Sequence, residues 1–362
     1  MKITRAQLLK FFPAAAFVAG LGWDSLTMTR IDRLFDNIFL LGYLVILGGM
    51  IILTNFIEKG LIRNNLLLRF KKWYPFAIQF FLGGLFSGYT VFYFQSASLT
   101  KASLFFLIIA VMLIINEFLE KKYTNLYLQI SLYFLANLSF FIFFIPVIFS
   151  TMGLHTFIIA GIISLIIVEG IVYLFQKKDI YGHYRQLIAS RMIPFLLFFI
   201  IAFFYSMNWI PPVPLSLKFS GMYHNAVKVT DEPGRLMYEL EYRKPPWYKP
   251  WQKSDEVIYQ NTSGKAYCFS AVFASTDLKT SIYHHWMRYS DSDEEWLTTD
   301  EIKCDIRGGR EEGYRGYSFK EKLVSGYWRV DIRTESYQLL GRLEFEISDE
   351  EIEDFEVKKI LK

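Results

Sequence analysis

Long apolar stretches separated by short polar segments occupy the first 212 residues of the chain. A helix needs roughly 20 apolar residues to cross the hydrocarbon core of a bilayer. Pro13 and the preceding Lys10 leave a cleaved signal peptide as the alternative interpretation of the first stretch. The pattern predicts about seven transmembrane helices, over residues 8–28, 36–57, 75–95, 103–119, 126–149, 156–175 and 192–209.

The pattern changes in the second part of the chain, where apolar positions begin to follow a period of two. From about residue 235, short runs of Tyr, Val, Ile, Phe and Trp are separated by turn residues, which is typical of β-strands. We therefore predict an α-helical polytopic membrane domain over 1–212, followed by an all-β immunoglobulin-like sandwich over 213–362. The predicted strands are 235–243, 256–260, 265–274, 280–289, 301–307, 314–320, 326–334 and 338–347.

Alternation also predicts which side chains of a strand are buried. In the run 326–332, the Trp, Val and Ile at positions 328, 330 and 332 fall on one face, whereas Tyr327, Arg329 and Asp331 fall on the other. Successive side chains of a strand point to opposite faces. We expect the first set in the core and the second set exposed to solvent.

Composition supports a division into two chemically different parts. The chain has 53% hydrophobic, 18% aromatic and only 20% charged residues, with a mean hydropathy of +0.25. These values exclude disordered and collagen-like chains and are too apolar for an ordinary two-domain soluble protein. Residues 1–212 carry 17 Lys and Arg against 8 Asp and Glu, whereas 213–362 carry 22 against 27.

The distribution of Lys and Arg predicts the orientation in the membrane, because basic loops are retained in the cytoplasm. With the N-terminus inside, the inner segments contain 14 Lys and Arg and the outer segments contain 3. Seven spans then place the β-module on the far side of the membrane. In a bacterium this corresponds to a multi-pass protein of the inner (plasma) membrane with a cytoplasmic N-terminus and a periplasmic C-terminal domain.

The two cysteines of the chain, Cys268 and Cys304, both lie in the predicted β-module. An oxidising compartment would allow them to form a disulfide. Two buried free thiols are the alternative, and their spacing does not decide between the two states.

Ionisable residues within membrane helices are costly and often functional. Glu169 is the deepest carboxylate of the predicted spans, and Asp24 is a second intramembrane polar candidate. Glu169 could carry a proton or an ion. The alternative is a structural ion pair or a position that faces water.

Two groups of residues are candidates for ligand binding in the β-module. Arginine presents a fork of donors and tyrosine a flat face, so a cationic aromatic surface can hold an anionic lipid headgroup, a phosphate or an acidic sugar. The first group is Arg310, Tyr314, Arg315, Tyr317 and Lys320, and the alternative is that Arg315 pairs with a neighbouring acid. The second group is Trp247 and Trp251, which can form a glycan platform or rest on the membrane surface or on the module itself.

The residues do not indicate catalytic chemistry. His284 and His285 are adjacent, so on a strand they point to opposite faces and are poorly placed to bind one metal ion. Ser318 lies in a strand-like run without a motif that would expose a nucleophile. We expect a protein that is not an enzyme and has neither a metal nor another cofactor. The acidic, outward-facing module also argues against a nucleic-acid partner.

A series of motifs resembles a known bacterial module. The residues are His285-Trp286, Gly308-Gly309-Arg310, Gly313-Tyr314-Arg315-Gly316-Tyr317-Ser318-Phe319-Lys320, Gly326-Tyr327-Trp328-Arg329-Val330, Gly341 and Phe345. Their order resembles the module known as domain of unknown function 2914. The N-terminal Phe12-Pro13 and the run from Gly22 to Asp32 are similar to the membrane part that accompanies it. The resemblance implies a membrane-tethered β-module and provides no catalytic residues.

These observations favour a non-enzymatic envelope binding or sensing protein. Besides the lipid bilayer, its expected partner is an envelope glycan, an anionic lipid or a membrane protein. The alternative is a membrane transporter or lipid-handling protein with an accessory β-domain.

Overall fold

The computed structural model describes residues 33–96, 125–210, 212–232, 235–259, 264–275, 278–307, 312–350 and 356–362. These residues divide into two compact units that meet in sequence between Pro214 and Leu215. The first unit is helical and the second is built from β-strands.

Within its described residues, the helical unit contains five helices that are long and apolar enough to cross a membrane. They coincide with five of the seven predicted spans, and the predicted spans 8–28 and 103–119 lie outside the described residues. The described part of the chain thus contains five such helices, not the seven predicted for the whole chain. The α-helices are α1 (Leu34–Glu58), the short α2 (Asn65–Arg69), α3 (Tyr74–Ser96), α4 (Leu126–Phe149), α5 (Leu154–Lys177) and α6 (Tyr184–Ser206).

Helix α4 lies at the centre of the helical unit and packs against α1, α5 and α6. A buried amide pair joins two of these helices, since Asn55 Nδ2 of α1 donates to Gln129 Oε1 of α4 at 2.7 Å. Apolar side chains such as Val45, Ile166 and Phe199 are largely exposed on the helix surfaces. Such outward apolar faces suit a hydrocarbon environment.

Helix α6 begins at Tyr184, eight residues before the predicted start of the seventh span. Arg191 is therefore a helical residue rather than part of a loop. Its Nε lies 3.3 Å from Glu169 Oε2 of α5, and its Nη2 donates to Gln176 Oε1 at 2.8 Å. Hydropathy placed the start of α6 too late because the charge of Arg191 lowers the average hydropathy of the helix. This average does not register that Arg191 pairs with Glu169 on a neighbouring helix. Glu169 is thus in an ion pair, and Asp24 lies outside the described residues.

Eleven strands form three sheets in the described part of the second unit. The sheets have the strand orders β1-β5-β8, β4-β10-β9-β6-β7 and β11-β3-β2, with all pairs antiparallel except β4 with β10. The strands are β1 (Ser216–Tyr223), β2 (Asn225–Glu232), β3 (Arg235–Arg243), β4 (Val257–Tyr259), β5 (Lys265–Phe273), β6 (Lys279–Ser290), β7 (Glu295–Arg307), β8 (Tyr314–Glu321), β9 (Gly326–Thr334), β10 (Leu339–Ser348) and β11 (Val357–Leu361).

All eight predicted strands are present, but β1, β2 and β11 were not predicted and β7 begins six residues earlier than expected. The missed strands contain mixed polar and charged residues and lie at sheet edges, where the apolar alternation is weak. Their presence produces three sheets, rather than the two of a simple sandwich.

The three-stranded sheet β1-β5-β8 contributes side chains to a hydrophobic core on each of its faces. Cys268 of β5 faces a core with Trp286, Trp328 and Phe345 of the five-stranded sheet. Phe269, the next residue, faces a second core formed with the sheet β11-β3-β2, whose members include Tyr238, Leu240 and Tyr242. This middle sheet therefore connects two separate hydrophobic cores.

The predicted core face of β9 is confirmed. The prediction for the opposite face is wrong at Asp331. The Trp, Val and Ile at positions 328, 330 and 332 are at most 2% exposed. Asp331, expected in solvent, is 0% exposed. It is buried because arginine side chains from β9 and β10 cover it.

We predict that Glu169→Gln lowers the thermal unfolding midpoint of the full chain in detergent by several degrees. The reason is that the substitution leaves the Arg191 charge without its carboxylate, which is costlier than removing both charges. The double variant Glu169→Gln with Arg191→Gln is the matched control and should recover most of the loss. A double variant that is less stable than the single one would contradict this explanation.

Candidate functional site

The outer face of the five-stranded sheet, opposite its core, carries a group of charged side chains that contact one another. Strand β9 places Arg329, Asp331 and Arg333 on this face, and the neighbouring strand β10 places Arg342 directly opposite Asp331. We call these four residues the arginine cluster. Three cations therefore surround one carboxylate.

The hydrogen bonds of Asp331 fix the arginine cluster. Arg342 donates to it through two nitrogens, Nε to Oδ1 at 2.6 Å and Nη2 to Oδ2 at 2.9 Å, and Arg333 Nη2 donates to Oδ2 at 2.5 Å. Burial alone would raise the pKa of Asp331. The hydrogen bonds and positive charges of Arg342 and Arg333 outweigh it and hold this pKa below its usual value. Asp331 is therefore ionised at neutral pH.

Arg329 is held mainly by contacts with the ring of Trp296 and the sulfur of Met287. Its guanidinium carbon lies 4.5 Å from the centroid of the Trp296 ring, and its Nε and Nη2 lie 3.3 and 3.2 Å from Met287 Sδ. The distance from its Nε to Asp331 Oδ1 is 3.8 Å. Stacking on an indole orients a guanidinium without neutralising it.

His285 of β6 lies beside the arginine cluster, opposite Asp331 in the register of β6 and β9. Its Nε2 is 3.4 Å from Glu301 Oε1 and has no hydrogen-bond partner in the described part of the chain. Burial lowers the pKa of His285, and the nearby Glu301 only partly opposes this. The imidazole is thus neutral near pH 7, with a donor or acceptor turned towards this face.

His284 points to the opposite face, as the adjacent positions on a strand predicted. It is fully buried, with Nε2 2.9 Å from Ser270 Oγ and Nδ1 2.8 Å from Ser318 Oγ. Trp286 Nε1 donates to the same Ser318 hydroxyl at 3.0 Å. Burial, aided by His285, lowers the pKa of His284 to about 4. This Ser-His-Ser arrangement satisfies buried polar groups of the core and is closed to solvent.

The predicted binding residues of β8 lie on two sides of that strand. Arg315 forms an ion pair with Glu312, and its backbone oxygen and the Tyr317 ring both contact Tyr238 of β3. Lys320 points the other way, where it pairs with Asp300 and lies 5.2 Å from the Trp328 ring centroid. By alternation, Tyr314 shares the side of Lys320. The structure therefore divides these four residues between two sides, and Arg310 lies outside the described residues.

Trp247 and Trp251 lie in the connection between β3 and β4, apart in sequence from the β8 residues. They are 91% and 73% exposed. As their proline-rich surroundings predicted, they are not part of a strand.

Cys268 and Cys304 carry free thiols in this structure. Burial raises the pKa of Cys268 well above its ordinary value, with a smaller contribution from Cys304, and burial raises the pKa of Cys304 to about 11. Both thiols are therefore protonated and poorly nucleophilic at neutral pH. Among the described residues, no group of three His, Cys, Asp or Glu side chains could hold a metal ion.

Sequence reasoning missed the arginine cluster. The alternation of β9 placed Arg329 and Asp331 on one face, but a signal for Arg342 required the register of β9 with β10. The excess of arginine over acid at alternate positions of β9 was the one available clue.

Comparison with known proteins places the arginine cluster within a recognised family segment. Residues 279–347 match the model of a family described as "Protein of unknown function (DUF2914)", which confirms the resemblance of the C-terminal module. This segment runs from the start of β6 almost to the end of β10. The match does not include the N-terminal motifs.

The other comparisons add no functional information. No curated protein matches the chain. Among solved structures, the chain matches that of Pseudomonas fluorescens alkylpurine DNA glycosylase AlkC bound to DNA containing an abasic site analog. The sequence identity is 8%, and the match covers 88% of this chain and 99% of that chain. Its TM-score of 0.23 is too low to support an inference about fold or activity.

We predict that acid destabilises the β-unit through His284. Its pKa is about 4 when folded and near 6.5 when unfolded, so between these values the unfolded state binds more protons. Stability is therefore retained above pH 6.5 and falls as the pH decreases towards 4, by about 3 kcal/mol for this group. Denaturant unfolding of the full chain, followed by tryptophan fluorescence at several pH values, measures this loss.

His284→Gln should remove that part of the pH dependence, although it also lowers stability at pH 7. The exposed His155→Gln is the matched control and should keep the wild-type pH profile. An unchanged profile in His284→Gln would refute the assignment.

We also predict that both cysteines react with an alkylating reagent in denaturant without prior reduction, giving two labels per chain by mass spectrometry. In the folded protein, the burial and high pKa of the thiols should make labelling slow. A sample treated with reductant beforehand is the control. Labels that appear only after reduction would demonstrate a disulfide.

Proposed function

We propose that this chain is a non-enzymatic membrane protein whose β-module binds an anionic group of an envelope molecule or partner. The arginine cluster carries the proposal, because three arginines surround a single buried carboxylate on an outer sheet face. A carboxylate, a phosphate or an acidic sugar has the chemistry that this face would recognise.

The charge balance of the site supports an anionic ligand. Asp331 neutralises one of the three arginine charges. Glu344 lies opposite Arg329 in the register of β9 and β10, but it is exposed to water, where its charge is screened. Glu301 lies further out on β7, beside His285. A bound anion would complete the pairing of the arginines.

The arginine cluster is also pre-ordered. The three arginine side chains are between 15% and 27% exposed, and each is held by the contacts described above. Guanidinium groups that are already fixed lose little conformational entropy when a ligand binds. Partial burial further strengthens their attraction to an anion relative to a fully hydrated charge.

The membrane part of the proposal rests on the sequence and on the five apolar helices. We infer that these helices, with the predicted spans 8–28 and 103–119, form a seven-helix domain of a bacterial inner membrane. The 14 to 3 distribution of Lys and Arg supports a cytoplasmic N-terminus and a periplasmic β-module. We further propose that the sheet β1-β5-β8 and the five-stranded sheet, which share a core, form an immunoglobulin-like sandwich. The sheet β11-β3-β2 is added to this sandwich.

The pairing of Glu169 with Arg191 bears on the transporter alternative. In this structure the carboxylate serves a helix-helix ion pair, which accounts for its presence in an apolar helix. We therefore favour the binding function over the transport function.

We predict that Arg333→Gln weakens anion binding by about tenfold or more, because it removes a charged hydrogen-bond donor. Asp331 keeps its two hydrogen bonds from Arg342 in this variant. The measurement is calorimetric titration of the full chain in nanodiscs with inorganic phosphate, glycerol phosphate and glucuronate. Binding should weaken as ionic strength rises.

Arg315→Gln is the matched control, because it removes an arginine from the β8 surface and leaves the arginine cluster intact. Unchanged binding in this variant supports the outer sheet face as the site. Loss of binding only in Arg315→Gln would move the site to β8. No saturable binding of any anion by the wild-type chain would overturn the proposal.

A further inference from the structure

The connection between β3 and β4 exposes three aromatic side chains on one short loop. We call residues 244–253 the aromatic loop. Trp247, Tyr248 and Trp251 are 91%, 57% and 73% exposed. Water-exposed groups of large apolar side chains commonly mark interaction surfaces. The contacts described above for the arginine cluster do not involve these three side chains.

The aromatic loop is built as a rigid element. Pro245, Pro246 and Pro250 restrict its backbone, and the Lys249 and Gln252 amides donate to backbone oxygens three residues earlier at 2.9 and 3.0 Å. The tryptophans are therefore held out by an ordered backbone.

The base of the aromatic loop is anchored in the β-unit. Tyr223 Oη donates to the Lys253 backbone oxygen at 2.9 Å, and the Arg243 amide donates to Asp255 Oδ1 at 2.7 Å. Asp255 also pairs with His224, with 3.0 Å between Oδ2 and Nδ1. Both ends of the loop are thus fixed to β1 and β3.

The chemistry of the aromatic loop fits the surface of a lipid bilayer. Trp and Tyr are enriched where a membrane meets water, because each has an apolar ring and a polar group. The loop contains three lysines and no acid, whereas 213–362 as a whole has an excess of acidic residues. Lys244 and Lys249 pair with Glu356 and Glu256, so the aromatic rings supply most of the expected attraction.

The chain itself keeps the β-unit near a bilayer if its helices span one. Nine residues separate the end of α6 at Ser206 from the start of β1 at Ser216. Fully extended, this connection reaches at most about 35 Å. A bilayer surface is therefore the apolar-polar boundary within reach of the tethered unit.

We propose that the aromatic loop inserts Trp247 and Trp251 into the interfacial layer of the bilayer that holds the helices. The inference rests on the membrane insertion included in the proposed function and is independent of anion binding. The loop thereby gives the β-unit a second attachment to the membrane, in addition to the covalent connection after α6.

Depth-dependent fluorescence quenching tests this inference on the full chain. Trp247→Cys, in a background of Cys304→Ala, is labelled with an environment-sensitive fluorophore and reconstituted into phosphatidylcholine and phosphatidylglycerol vesicles that contain spin-labelled lipids. We expect blue-shifted emission and several-fold stronger quenching than at Val324→Cys, a matched exposed position in the β8–β9 connection. Both positions are exposed, so neither substitution removes core packing.

A third label separates the possible failures. Ile166→Cys lies on an exposed apolar part of α5 and should be quenched if the helices cross the bilayer. Quenching at position 166 without quenching at 247 would overturn the present inference and leave a soluble glycan or a protein as the occupant of the loop. Absence of quenching at both positions would overturn the membrane insertion on which the inference rests.

Discussion

The β-unit depends on the packing of its middle sheet, β1-β5-β8, against a hydrophobic core on each face. Successive residues of β5 point into different cores, so Cys268 packs under the tryptophans of the five-stranded sheet and Phe269 packs against the tyrosines of β3. A one-residue slip would exchange the small side chains of one face for the aromatic side chains of the other. Ala266 and Tyr267 repeat this contrast. The register of β5 therefore fixes the positions of both outer sheets.

The same alternation separates the roles of two adjacent histidines. His284 enters the core and is satisfied by serines from β5 and β8, whereas His285 lies on the outer face beside Asp331. Because Trp328, Val330 and Ile332 fill the core face of β9, the charged residues of this strand lie on the opposite face. The arginine cluster is a consequence of this division, and its carboxylate is buried by arginines instead of by apolar side chains.

The sequence was sufficient where one helix or strand has a strong apolar pattern. Apolar length located the described helices, and alternation located the core face of β9. It was insufficient wherever two elements determine the outcome. The contact of Arg342 with Asp331 depends on the β9–β10 register, and that of Arg191 with Glu169 depends on the packing of α5 against α6. The third sheet was missed because its edge strands are polar.

The proposed anion site, on a module attached to a membrane, would have different energetic requirements from the same site in solution. The connection after α6 limits how far the β-unit can move, and an aromatic loop in the interface would also limit its rotation. Freedom that is lost before binding is not lost again when an anion binds, so a modest set of arginine contacts can give useful affinity. An envelope ligand confined to the same membrane region would also meet the site at a high effective concentration. Under the proposed function, partly exposed arginines around one carboxylate would thus suffice for reversible recognition, without a deep pocket.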